Sequence, residues 1–206
     1  TLLISVAAKA QPEAFPSTYA APSGQPVLFK NATILTGDGR RLDETDLYMA
    51  KGQIEWVGEG KIAPGATEVD ASGRWITPGL IDVHSHLGVY PSPDVAAHSD
   101  GNEATAPVTA EVWAEHSVWP QDPGFSRALA GGVTAMQILP GSANLFGGRG
   151  VTLKNVPSIS YQSMKFPDAP HGLKMACGEN PKRVYGGRKQ APSTRMGNVA
   201  TYRSAW

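Results

Sequence analysis

Cysteine is almost missing. Cys177 stands alone among 206 residues, so no disulfide can form within the chain and a disulfide-stapled module is excluded. Charge is sparse as well: Asp, Glu, Lys and Arg make up 17 %, against about 25 % in typical globular domains. The eighteen basic residues cancel the eighteen acidic ones, which removes the overall electrostatic footprint expected of a nucleic-acid or anionic-membrane binder. No stretch has the roughly 18 uninterrupted apolar residues of a spanning helix. Apolar residues are plentiful at 41 %, enough for a packed core.

The chain begins "TLLISVAAKA", an apolar run followed by Ala8-Lys9-Ala10, a small-x-small pattern like a signal-peptidase site. An exported protein, periplasmic or secreted, with a mature start near Gln11 is the expectation. Residues 11–26, "QPEAFPSTYAAPSGQP", are rich in Pro, Ser and Ala and cannot bury enough apolar surface to order themselves. Residues 1–26 therefore read as a leader remnant and linker.

From Val27 the pattern alternates. "VLFKNATILTGDG" reads as a strand and tight turn, and "DLYMAKGQIEWVGEG" as a hairpin with Lys51-Gly52 between strands at Asp46–Ala50 and Gln53–Val57. "TEVDASGRWITPG" turns at Ala71–Gly73. Residues 27–76 thus predict a small β layer, sandwich-like but short of a partner layer.

After Pro78 the run "LIDVHSHLG" is nearly continuous, as in a strand buried on both faces of a parallel sheet. In a strand, residues i and i+2 share a face, so His84 and His86 lie on one side with Cα atoms about 6.5 Å apart, and Ser85 points away. Two imidazoles so spaced can converge on one ion. A catalytic metal needs at least one further ligand, which must come from another strand.

The stretch Thr77-Pro78-Gly79-Leu80-Ile81-Asp82-Val83-His84-Ser85-His86 resembles the opening barrel strand of the amidohydrolase superfamily, written "TPGLIDxHxH". The resemblance continues through "LAGGVTAMQILPG", residues 129–141, and "GLKMACGENPKRVYGG"; more narrowly it points to exported bacterial imidazolonepropionase-related amidohydrolases. It implies an α/β chain in which a small β-sandwich-like domain, residues 27–76, precedes the first half of a (β/α)8 barrel, residues 77–206. A whole barrel takes about 250 residues, and only four candidate strands are visible here, at 79–85, 132–139, 150–154 and 172–177. The closing "NVATYRSAW" is helix-like and lacks a C-cap signal. An N-terminal fragment is the expectation; the family's later histidines and its catalytic aspartate would lie beyond residue 206.

The resemblance also implies a bridging carboxylate, either a glutamate or a lysine carbamylated by CO2. Glu179, just past an apolar run, is the favoured candidate and Lys174 the alternative, with Lys154 or a mononuclear site also open. One or two divalent ions are implied, zinc first. Such an ion lowers the pKa of bound water and polarises a carbonyl, which suits hydrolysis of an amide or cyclic amide C–N bond in a small-molecule or dipeptide-like substrate. Two rivals are a non-catalytic truncated product or metal-binding module, and an isomerase or decarboxylase on the same site. Oligomeric state is not legible.

Other features carry less. His98, His116 and His171 occur singly and read as packing or surface residues, although His98 and Asp100 follow the first strand, where barrel loops shape a pocket. "NLFGGRGVTLK" lacks phosphate-loop spacing and reads as a tight turn before a strand. From Lys174 to Arg203 seven basic residues face one acidic residue, without the interleaved aromatics of a nucleic-acid stripe. Trp113 and Trp119 read as loop anchors.

Overall fold

The computed structural model describes residues 15–206; the leader and its cleavage pattern fall outside them. Among the described residues ten strands, three α-helices and three short 3-10 helices make a mixed α/β structure. Two apolar cores form around them. The first lies under the strands β1 (Val27–Leu35), β2 (Arg41–Ala50), β3 (Gln53–Gly58), β4 (Thr67–Asp70) and β5 (Trp75–Ile76), where Ala32, Ile34, Leu47 and Ala71 are buried.

The sheet order is β3-β2-β1-β4, with β5 also on β1. Both hairpin pairings are antiparallel, and β4 and β5 run parallel to β1. The β2–β3 turn is at Lys51-Gly52, both with positive φ (54° and 73°), as the alternating pattern predicts. Asn31 bulges out of β1 at φ 60°. Buried Asp46 answers it: its carboxylate accepts from Asn31 N at 3.2 Å and from Lys61 N at 3.3 Å. Asp46→Ala leaves two part-buried amides without this partner and is expected to cost about 1 kcal/mol in urea unfolding.

The second core gathers Val89, Phe125, Met136, Ile138, Val151, Leu153 and Met164. Its sheet has the order β6 (Leu80–Ser85), β7 (Val133–Ile138), β9 (Val151–Lys154). A separate ladder pairs β8 (Phe146–Arg149) with β10 (Leu173–Met175). Helix α1 (Pro123–Ala130) packs on β7; α2 (Glu179–Gly187) and α3 (Arg195–Ala205) close the described chain. No helix among the described residues is long and apolar enough to cross a membrane.

Three expectations change. β6 is not buried on both faces: Leu80, Ile81 and Val83 are 59, 69 and 70 % exposed, because among the described elements β6 packs chiefly against β7 at its edge and no helix covers its faces. Of the four candidate barrel strands, only β6 and β7 pair in parallel; β9 returns antiparallel on β7 and β10 antiparallel on β8. "LFGGRG" is itself mostly strand rather than a turn, since β8 spans Phe146–Arg149.

The Pro- and Ser-rich segment does not order itself; the rest of the chain holds it. Thr18 N donates to Gln162 O at 3.0 Å, Ser17 Oγ to Lys165 O at 2.7 Å, and Lys165 Nζ to Phe15 O at 2.7 Å.

Candidate active site

β6 presents its histidines as a strand must. The His84 and His86 rings meet edge to face with centroids 5.3 Å apart, and Ser85 between them is buried. Asp82 Oδ1 accepts from His84 N at 3.0 Å and steadies the strand there. His86 Nδ1 lies 2.8 Å from Leu139 O, just past the end of β7. A carbonyl only accepts, so Nδ1 carries a proton, and in the neutral ring that leaves the lone pair on Nε2.

The third member comes from β10. Lys174 sits opposite Gly148 of β8 and is 9 % exposed, with Nζ 2.9 Å from His84 Nε2. An ammonium has no acceptor, so the imidazole accepts. Burial pushes the Lys174 pKa down. The charge of Lys174 pulls the His84 pKa down, helped by burial and by His86 and opposed by Asp82. Each shift favours a neutral side chain, and neutral imidazole is the metal-binding form.

Glu179 is not brought to this place. The chain enters α2 directly after Gly178, so Glu179 occupies the first helical turn, where a carboxylate suits the helix dipole. It is exposed, and its Oε1 accepts from Arg183 Nε one turn on at 2.9 Å. Lys154 instead stacks its ammonium on Phe166 and Tyr19, at 4.3 and 4.9 Å from the ring centroids. Among the described residues no group of three or more His, Cys, Asp or Glu side chains is placed to hold a metal. The donor set in hand is two imidazoles and a buried amine. As an ammonium Lys174 repels a cation; as a carbamate it would supply anionic oxygens, and the set then fits a divalent ion.

The single histidines pack as expected. His98 lies against Trp119 with ring centroids 4.5 Å apart, His116 against Phe15 at 5.4 Å, and His171 against Trp113 at 4.6 Å. Arg149 covers the other ring contact of Trp113 at 4.7 Å. Asp100, Trp113 and His116 help line a cavity of about 510 Å³.

Sequence reasoning missed the residues that hold the loop after His86. Asp122 caps α1 through Gly124 N at 2.8 Å, and the same carboxylate accepts from Gly88 N at 2.9 Å and Ser92 N at 3.2 Å. Its signal was legible as Asp-Pro at a helix start; its second task, across 34 residues, was not. Asp122→Ala is expected to cost about 2 kcal/mol in denaturant unfolding, since it removes a cap and strands the buried Gly88 amide.

An edge strand carrying paired imidazoles beside a buried lysine, in a mixed α/β chain, defines a molecule similar to the amidohydrolases. The crystal structure of an amidohydrolase from Thermotoga maritima MSB8 superposes with a TM-score of 0.79 and 49 % identity, over 86 % of this chain and 46 % of that one. Amidohydrolase tasK of Hapsidospora irregularis is 36 % identical over 91 % of this chain and 22 % of its own length. D-hydantoinase of Rhizobium radiobacter is 43 % identical over 61 residues, 30 % of this chain and 13 % of that enzyme. No protein-family model matches the chain. These likenesses support the amidohydrolase superfamily, and the chain spans less than half the length of each relative.

Proposed function

We propose that the complete gene product is a metal-dependent hydrolase of amide or cyclic amide C–N bonds in small molecules. In this reading residues 77–206 form the first part of a (β/α)8 barrel and residues 27–76 a small β-sandwich-like domain before it. The leader-like residues 1–10 route the protein to the periplasm or exterior, in keeping with the imidazolonepropionase-related resemblance. The observation that carries the proposal is the 2.9 Å approach of Lys174 Nζ to His84 Nε2, beside His86.

That approach favours Lys174 over Glu179 as the anionic ligand. The neutral Lys174 amine attacks the carbon of CO2, an N–C bond forms, one N–H proton leaves to solvent, and a carbamate anion results. His84 Nε2, His86 Nε2 and the carbamate oxygens would hold one or two divalent ions, zinc first. When bound, such an ion lowers the pKa of water to about 7 and polarises the scissile carbonyl. His84 and His86 contribute neutral nitrogens, one steadied by Asp82 through its backbone and the other by Leu139 O.

The test is metal content by elemental mass spectrometry and turnover of cyclic amides such as hydantoin and dihydrouracil, for the complete gene product and its His84→Ala/His86→Ala variant. One or two equivalents of zinc, lost with activity in the variant, support the reading. A folded wild-type protein that takes up no added zinc, manganese or iron sinks it.

A further inference from the structure

His86 has a neighbour that the histidine pair alone does not require. Tyr90 meets the His86 ring edge to face, with centroids 5.5 Å apart and planes at 89°. The backbone links the two as well, because Tyr90 N donates to His86 O at 3.0 Å.

The Tyr90 side chain is held from three remote places. A Cβ on Gly101 would run into the ring, and one on Gly141 into the hydroxyl and the Asn102 amide, while the rest of the side chain stays open, 41 % of Tyr90 being exposed. Those two glycines are joined, since Gly141 N donates to Gly101 O at 2.7 Å. Asn102 closes the slot: Ala143 N donates to its Oδ1 at 3.0 Å, so the amide must turn its Nδ2 toward the Tyr90 hydroxyl, to which it donates. The slot is therefore tied to the segment that leaves β7, which also supplies Leu139 O to His86. One rigid assembly fixes the imidazole along its edge and at its Nδ1.

We propose that Tyr90 is a positioning residue: backed along its ring by Gly101 and held at its hydroxyl by Gly141 and Asn102, its ring keeps His86 Nδ1 on Leu139 O and Nε2 free as the ligand nitrogen. The proposal rests on the reading of His86 as a metal ligand. The role belongs to the ring, and the hydroxyl serves only to anchor it. Tyr90→Phe should then keep what Tyr90→Leu loses.

The experiment uses the complete gene product with 15N-labelled histidine, first free of metal and then titrated with Co2+. In wild type and Tyr90→Phe, His86 is expected as a single Nδ1-protonated tautomer. In Tyr90→Leu its two ring nitrogens should average, the affinity for Co2+ should fall about 10–100-fold, and the visible Co2+ bands should shift. Gly101→Ala, whose Cβ would run into the ring itself, should reproduce the loss and stands in if Tyr90→Leu does not fold. A locked His86 tautomer in both variants overturns the proposal, and so does unchanged Co2+ affinity. Failure of wild type to bind Co2+ overturns the metal reading instead, and the tautomer result still decides whether Tyr90 sets the ring.

Discussion

Lys174→Ala in the complete gene product is expected, on the proposed carbamate reading, to reduce turnover by at least about 10³-fold and to lower bound metal, because a bridging ligand worth several kcal/mol of Lewis-acid assembly would then be gone. Two further results belong to the same prediction. Metal uptake by wild type stripped of metal should be slow in CO2-free buffer and accelerate with added bicarbonate, since the amine becomes a ligand only after taking up CO2. Acetate or propionate should partly restore the alanine variant, because a small carboxylate fits the space the side chain vacates. Glu179→Ala supplies the contrast: an exposed carboxylate paired with Arg183 is expected to change neither metal content nor turnover by more than a few-fold. Equal losses in the two variants would return the bridging role to Glu179.

The largest stability effect is expected at a charge pair outside the site. Lys165 Nζ lies 2.7 Å from Glu115 Oε2, with the two side chains 4 and 1 % exposed. Burial pushes Lys165 down and Glu115 up from their ordinary pKa values, so each ion is unfavourable there without the other. Lys165→Met alone strands a buried carboxylate and also removes the donor to Phe15 O that helps hold the N-terminal segment. A loss of about 3–5 kcal/mol is expected, or roughly 10 °C in Tm. Adding Glu115→Gln should recover part of it, because the uncompensated charge is then absent.

The pH dependence has a fixed sign. Burial already raises the Glu115 pKa in wild type; removing the Lys165 ammonium should raise it further in the variant, so that above the ordinary value of 4.5 the folded variant gains more stability per proton taken up than wild type does. The variant's deficit should therefore narrow as pH falls toward that value. Thermal unfolding of wild type and variant between pH 7 and about 5 checks it, and a deficit that widens on acidification would remove the stranded-carboxylate account.

Much of the fold is local and was readable locally. The Lys51-Gly52 hairpin follows from alternation around a turn pair, and the β6 run with its two histidines from period two. Those signals span a few residues, where covalent geometry alone fixes which side chains share a face. Glu179 looked better placed than Lys174 because it sits just past the apolar run and Lys174 lies earlier within it, but distance along the chain cannot say where a strand gives way to a helix. Here β10 ends at Met175 and α2 begins at Glu179, which sends one side chain to His84 and the other to solvent.

The sequence by itself determined the paired imidazoles on one strand face, the small β layer and the absence of any disulfide. Only the tertiary structure decided that a buried lysine, 90 residues from His84, comes to lie against it, that Asp122 ties down the loop after His86, and that Gly101, Asn102 and Gly141 abut the Tyr90 ring and hydroxyl. The reason is physical: burial, pKa and ring orientation arise from neighbours that chain folding brings together, and spacing along the sequence carries no record of which neighbours those are.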